Sequence, residues 1–572
     1  MRDGIRLFTS IQYPVDLNTK VPFLLMRTPY GVDSLVRDSA KTITGSFAEL
    51  ASSGYIIVKQ DIRGKFNSEG KMKIHQPLVH QYDKKAIDES TDTYDTVDWL
   101  IKHIANNNGK VGLTGQSYDG WLVLTGAAYP HPGVKAACEQ ACMADLFLGD
   151  DFHHNGAFRL SYGFEYGYEV EHNPQMDSQF PFPDSDLYDW YLKLGPLSNV
   201  NKNYFHGKIP TWNSFVNHPD YDNYWQKNSP LNYMPAIKIP MLHVGGYYDQ
   251  EDLYGPQLMN NWMEKQDKQG FNHLILGPWN HGLWNTDKSD SLAAIEFGFQ
   301  TAKFFKDLQR KWFDFYLKNI GDGQFCKAYV FQTGSNQWKS YNNWTPKNTV
   351  IKRLYAGNNK HCSFKKSNIR SAISYMSDPE NPVPYRSRPI EPTYGKYSRW
   401  PTWQVEDQRF LSNRKDVISF EGDILPNDLI VTGQINAHLL SASTGNDADW
   451  IVKLIDVYPI DKLQGKLSGY QLPVAMEVFR SRFRKSFSKP SPLIPNKPEV
   501  YTINMHQINH CFKKGHRLMI QIQSSWFPVI DRNPQRYIAN IFKASADYYQ
   551  KAKQSVYVGG KDGTYIEMPV SN

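Results

Sequence analysis

The sequence predicts a parallel α/β domain, interrupted by an insert of helices or irregular chain and followed by an all-β domain. Three observations carry this reading. Short apolar runs alternate with helical stretches over the first 141 residues, the alternation breaks from about residue 147 to 231, and period-two patterning takes over after about 345. A chain of 572 residues holds two or three domains if one of them is large.

Ile5 to Ile11 alternates and reads as a strand. Val21–Met26 and Tyr55–Gln60 are continuous apolar runs, the mark of strands buried on both faces. In Thr91–Ile104, Tyr94, Val97, Leu100, Ile101 and Ile104 recur at three- and four-residue steps, which predicts a helix. Lys110–Thr114 is a strand ended by Gly115, Gly120–Ala128 a buried helix and Val134–Ala141 a further strand. The insert is rich in Asp, Asn, Tyr, Phe and Pro. Beyond it Ile239–Gly245 and His273–Gly277 read as strands and Ser291–Leu317 as a helix. Leu429–Leu440, Trp450–Val457, Glu499–Ile508 and Arg517–Gln523 then alternate between turn residues, the spacing of a sandwich or jelly roll.

Composition excludes several classes. With 40% hydrophobic residues the chain can build a large core, and 39 Gly plus 34 Pro is an ordinary share, so it is neither collagen-like nor mainly disordered. A net charge of +7 spread over this length does not point to nucleic acid or an anionic membrane. Five Cys are too few for a disulfide scaffold; Cys138 and Cys142 fall in a buried-looking strand and read as core thiols. No apolar run approaches the roughly 18 residues of a membrane helix. Met1-Arg2-Asp3-Gly4 leads straight into the first strand without a leader pattern, which predicts a cytoplasmic chain, or a periplasmic or secreted one if this start is mature or trimmed.

The most informative residues are Gly115-Gln116-Ser117-Tyr118-Asp119-Gly120, between a strand and a helix. A sharp strand-to-helix turn exposes a serine hydroxyl at the top of the sheet and needs small residues around it. The second Gly falls one place later than in G-x-S-x-G. A nucleophilic serine needs a base, and the base an orienting acid. In α/β-hydrolases these follow in the order Ser, Asp or Glu, His, each after a strand. Asp249 follows the strand Met241–Gly245, and His281 the strand Leu274–Gly277. The catalytic candidates are therefore Ser117, Asp249 and His281. The Tyr118 N–H and the Tyr30 hydroxyl, the latter in the loop after Val21–Met26, are candidates for the oxyanion hole.

Arg27-Thr28-Pro29-Tyr30, Asp61-Ile62-Arg63-Gly64, the G-x-S-Y-x-G elbow and Gly277-Pro278-Trp279-x-His281 together resemble the cocaine esterase / X-Pro dipeptidyl-peptidase group of serine hydrolases; Asp456-Val457-Tyr458-Pro459 and Ser524-Ser525-Trp526-Phe527-Pro528 resemble its C-terminal domain. The resemblance covers nearly the whole chain. It implies an α/β-hydrolase domain (1–146 and 232–345), an inserted helical cap (147–231) and a C-terminal jelly roll (346–572). Within the group, Asp249-Gln250-Glu251-Asp252 and Gly149-Asp150-Asp151-Phe152-His153-His154-Asn155-Gly156-Ala157-Phe158-Arg159 resemble the α-amino acid ester hydrolases, the β-lactam antibiotic acylases. That resemblance implies a carboxylate cluster of Asp151, Glu251 and Asp252 holding the substrate's α-ammonium group, with Asp150 competing for the place of Asp151. Three carboxylates near a closed cleft repel one another and lose solvation, and a cation relieves both costs.

The function expected is a serine hydrolase or acyltransferase cleaving esters or amides of α-amino acids through a Ser117 acyl-enzyme, with a small-molecule substrate and no cofactor, metal, nucleic acid or membrane. Relatives form tetramers, which implies a homo-oligomer. The alternatives are a glutaryl-acylase or cocaine-esterase-like hydrolase without an amine requirement, an X-Pro dipeptidyl-peptidase-like enzyme, or a binding protein that has lost catalysis. His153-His154 beside Asp150-Asp151 matches no metal motif. Phe479-Arg480-Ser481-Arg482-Phe483-Arg484-Lys485 interleaves aromatic and basic residues, which in a β domain predicts one packed and one solvated face rather than a nucleic-acid site.

Overall fold

The structure, a computed structural model, describes residues 1–14, 19–32, 46–80 and 82–571. Nine strands form the main sheet: β1 (Thr9–Gln12), β2 (Val21–Thr28), β3 (Ile56–Asp61), β4 (Asn107–Gln116), β5 (Val134–Gln140), β6 (Met241–Gly246), β7 (Asn272–Gly277), β8 (Ala328–Gln332) and β9 (Gln337–Tyr341). Their order is β1-β3-β2-β4-β5-β6-β7-β8-β9. The seven central strands are parallel; β1 on β3 and β9 on β8 close the edges antiparallel. β3, β6 and β7 are buried along their whole length, as apolar runs covered on both faces must be.

Helices cover both faces. The helix expected over Thr91–Ile104 runs over Glu89–His103 (α1), because Asp88 forms a capping box with Thr91 and starts it two residues earlier. Tyr94 lies outside its core face, 37% exposed. α2 (Tyr118–Ala128) is buried on every side. The helix expected over Ser291–Leu317 is shorter: Ser291–Leu292 and Ile295–Glu296 pair as a small hairpin, and the helix covers Thr301–Lys318. Leu292, Ile295 and Phe297 keep the segment apolar, but Ala293, at φ +53°, reverses the chain and Gly298, at φ +83°, turns it again before the helix.

Between β5 and β6 the chain leaves the sheet. A two-stranded turn, His153–His154 against Ala157–Phe158, leads into α3 (Leu160–Glu171), followed by the short helices Leu187–Leu194, Pro210–Asn217 and Asn223–Asn228. Their core is aromatic: Phe164 stacks on Phe205, and Trp212 meets Phe158 and Phe542. α4 (Gly255–Glu264) follows β6.

The C-terminal half is two antiparallel sheets packed face to face. The larger is built on Leu429–Ser443 and Glu499–Phe512, the smaller on Asp449–Val457, Gln471–Arg480 and Arg517–Gln523. Leu439, Trp450, Val452, Ile503, Ile520 and Met568 fill the space between them. Two features depart from the expected pattern. Residues 378–411 form no sandwich strand but run back to the mouth of the first domain, as the site shows. Arg480 and Arg482 are not on a solvated face, because the chain leaves the strand at Arg480 and turns through Ser481–Phe483, burying both guanidinium groups against carboxylates.

Candidate active site

Strand β4 ends at Gln116 and α2 opens at Tyr118, so Ser117 alone makes the turn, at φ +62° and ψ −127°. A non-glycine residue there is strained by roughly 1–3 kcal/mol. Two backbone bonds hold it: Ser117 N–H to Gln140 O at 2.8 Å, and Trp121 N–H to Ser117 O at 2.9 Å. The displaced second glycine is explained by packing. A Cβ on Gly115 would come within 2.5 Å of Asp119 O, and one on Gly120 within 2.5 Å of Gln140 O on neighbouring β5. Tyr118 is the first helical residue, so its N–H has no intrahelical acceptor. Its side chain is buried, stacked on His75.

Asp249 lies just after β6. Its Oδ1 accepts from the N–H groups of Glu251 (2.9 Å) and Asp252 (3.0 Å), which fixes the carboxylate. His281, in the loop after β7, donates from Nδ1 to Asp249 at 3.0 Å, and Gln250 Oε1 accepts its N–H at 3.1 Å. Burial works against the imidazolium, but Asp249 and then Glu251 overcome it, so the His281 pKa is pushed up to about 9. Ser117 and His281 line one cavity of about 460 Å³, with Tyr30, Tyr166, Glu169, Glu251 and Tyr394. The Tyr30 hydroxyl meets that of Tyr166 at 3.1 Å.

The carboxylates expected to cluster do meet. Ser117 Oγ donates to Asp252 Oδ2 at 3.4 Å, and His281 Nε2 lies 3.6 Å from Glu251 Oε2. Among the described residues no hydrogen bond joins Ser117 to His281: each turns to a carboxylate instead. Burial, followed by the charge of Asp151, holds the Asp252 carboxyl far above the ordinary range, and its Oδ1 is buried without a donor. Burial also raises Asp151 to about 6, against the opposing pull of Arg159. Asp150 is separated from this group by its bonds: it accepts the N–H groups of Ala144 (3.0 Å), Asp145 (3.2 Å) and Gly255 (3.0 Å), bracing the loop against α4. Of the two, Asp151 acts more strongly on the Asp252 carboxyl. Asp151 itself sits at φ +38°, a turn that sends the adjacent side chains to different partners.

Several residues that complete the site were not singled out from the sequence. Trp400 Nε1 donates to Glu251 Oε1 at 2.9 Å and Gln404 Nε2 to Asp249 O at 2.9 Å. Both come from the segment 378–411. Tyr162 OH reaches Glu251 Oε2 at 3.4 Å. Arg159, the last residue of the cap motif, spends its N–H groups on the carbonyls of Gln250 (2.6 Å) and Glu251 (3.1 Å), stacked 4.5 Å over the Tyr162 ring. It holds the acidic turn in place without pairing a carboxylate. His153 is buried and stacked on Phe147, and His154 pairs with Glu477 at 3.2 Å. Among the described residues no group of three His, Cys, Asp or Glu is arranged to hold a metal, and no helix is long and apolar enough to cross a membrane.

The model of the X-Pro dipeptidyl-peptidase (S15) family matches residues 3–283, and that of the X-Pro dipeptidyl-peptidase C-terminal non-catalytic domain residues 327–567. The solved structure of an aminopeptidase from a marine-sediment Thaumarchaeota archaeon is 36% identical, with a TM-score of 0.97 over 100% of this chain and 95% of that one. An α-amino acid ester hydrolase structure is likewise 36% identical, with a TM-score of 0.95 over the same shares. Cocaine esterase of Rhodococcus sp. (strain MB1 Bresler) is 27% identical over 558 residues, 93% of this chain and 91% of that protein. The protein is thus a serine hydrolase, with an α/β-hydrolase-like N-terminal domain and a separate β-rich C-terminal domain. The chain belongs to the cocaine esterase / X-Pro dipeptidyl-peptidase (S15-like) family.

Proposed function

We propose that this protein hydrolyses esters or amides of α-amino acids through an acyl-enzyme on Ser117, with Asp151, Glu251 and Asp252 seating the substrate's α-ammonium group. The observation that carries the reading is the surplus of buried carboxylate beside Ser117: among the described residues Asp252 Oδ1 has no donor, and no guanidinium or ammonium pairs with the cluster in an ion pair. An ammonium has three N–H donors and one charge, the complement of that site.

The seated cation has a second effect. It takes over Asp252 and Glu251 as acceptors, freeing Ser117 Oγ and His281 Nε2 to turn to each other. Ser117 then attacks the carbonyl while His281 takes its proton. Asp249 holds the imidazole through Nδ1, and the Tyr118 N–H and Tyr30 hydroxyl receive the oxyanion. His281 passes the proton to the leaving alcohol or amine. Water, deprotonated by the same His281, releases the acid. We assign residues 1–146 and 232–345 to the hydrolase domain, 147–231 to a helical cap and 346–572 to a jelly roll. The loop 378–411 of the last reaches across to bring Trp400 to Glu251.

A second reading is an aminopeptidase, favoured by the archaeal structure of that name; it uses the same ammonium site with an amide as the reacting group. The test is turnover of phenylglycine methyl ester and phenylglycine amide by the parent and by Ser117→Ala. Ester turnover lost in Ser117→Ala, with fluorophosphonate labelling lost in step, supports the proposal. Turnover of the amide alone moves the assignment to the aminopeptidase. Full activity in Ser117→Ala contradicts both.

A further inference from the structure

The cavity has a second acidic wall that the reaction above leaves unused. On α3, Tyr162, Tyr166 and Glu169 are spaced four and three residues apart and share a face. At 1.5 Å per residue, Tyr166 lies about 6 Å along the helix from Tyr162, and Glu169 about 4.5 Å further. Tyr162 touches Glu251 of the ammonium cluster, and Tyr166 touches Tyr30. The face therefore passes the ammonium end of the site first, the oxyanion side next and Glu169 last. An extended substrate anchored by its α-ammonium, with its carbonyl at Ser117, directs its leaving group toward Glu169.

Glu169 lines the same cavity as Ser117 and His281, half-buried. Its carboxylate makes no hydrogen bond or ion pair among the described residues. The nearby cation does not hydrogen-bond it: the fully buried Lys65 Nζ donates to Val170 O and Asp177 Oδ1, both at 2.9 Å, and its charge only partly offsets the pressures that raise Glu169. Burial, then the charges of Asp177 and Glu251, push Glu169 up to about 7. Met26, Val170 and Tyr394 line the wall around it and suit an alkyl stem.

We propose that Glu169 is a specificity-determining residue that selects leaving groups ending in a cation, a primary ammonium or guanidinium on a short alkyl stem. This rests on the proposed α-amino ester chemistry and adds the leaving-group preference to it. The test compares phenylglycine 4-aminobutyl ester with phenylglycine pentyl ester. The two share the acyl group and α-amine, are equal in chain length, and differ only in a terminal ammonium against a methyl. The expected result is a kcat/KM about tenfold higher for the aminobutyl ester in the parent, falling to a ratio near one in Glu169→Gln. A ratio near one in the parent, or a tenfold ratio that survives in Glu169→Gln, overturns the inference while the α-amino ester reading stands. Phenylacetic acid pentyl ester is run alongside. If it matches phenylglycine pentyl ester, or if no ester is turned over, the α-amino ester reading fails and takes this inference with it.

Discussion

Two regions of this protein bury acidic side chains, and they treat them in opposite ways. In the β-rich half, Arg480 bridges Asp449 at 2.8 Å and Asp531 at 2.7 Å, Arg482 holds Asp447, and Asn533 and the Phe158 N–H supply further donors. Every carboxylate oxygen there has a donor. In the cleft, Asp151, Glu251 and Asp252 have no guanidinium among their hydrogen-bond partners within the described residues, and Arg159, within reach, is turned to backbone carbonyls. Buried charges that are paired hold loops in place. Buried charges left short of a partner are costly unless something arrives to pair them. The contrast separates scaffold from site with side chains of the same kind.

The largest effect expected is in the scaffold. Arg480→Ala leaves two buried carboxylates uncompensated and should cost about 3–5 kcal/mol of stability, read by urea unfolding; a loss below about 1 kcal/mol would mean that the pairing carries little. The cleft should answer differently. Asp252→Asn replaces a carboxyl that burial and its neighbours keep from ionising, so stability holds or rises, while kcat/KM for an α-amino ester drops by roughly a hundredfold, nearly 3 kcal/mol of transition-state binding. A variant that loses stability and activity together would place Asp252 with the scaffold.

The pH dependence sharpens the contrast further. An ester without an amine cannot neutralise the cluster, so its kcat/KM reports His281 in the free enzyme and should rise with pH to a midpoint near 9. Glu251→Gln removes a charge that favours the imidazolium, and the midpoint should move down by about one unit. An unmoved midpoint would separate His281 from the cluster. The smallest effect is on folding. Asp151 is raised to about 6 in the folded protein, above its unfolded value near 4, so the folded state holds its proton more tightly. Its contribution to stability is present below about pH 4 and lost as pH rises to 6. Asp151→Asn should therefore gain on the parent by about 1–2 kcal/mol over that interval, measured by thermal unfolding at several pH values.

Much of this was legible in the sequence because the proposed catalytic residues sit where strands end. Ser117, Asp249 and His281 each follow an apolar run that could only be a strand, and their order follows from the topology. The carboxylate cluster was legible as a motif, but Asp150 and Asp151 are neighbours on a turn, and only the backbone angle at Asp151 separates their partners. Trp400, Gln404 and Tyr394 carry no periodic signal: their loop reaches the cleft from nearly 300 residues beyond Ser117 in the chain. Arg480 and Arg482 misled because the alternation runs off the end of its strand, where period two no longer says which way a side chain points. The same limit made one long helix of Ser291–Leu317, since the apolar residues Leu292, Ile295 and Phe297 do not register the reversal at Ala293–Ala294 or the turn at Gly298.

The central claim is that the cleft is built short of one cation and the substrate brings it. The most direct test is kcat/KM for phenylglycine methyl ester against phenylacetic acid methyl ester, in the parent and in Glu251→Gln. The account predicts a preference of about a hundredfold for the amine in the parent, and its collapse toward one in the variant. Equal rates in the parent would contradict it, leaving a serine hydrolase whose buried carboxylates serve some purpose other than an ammonium.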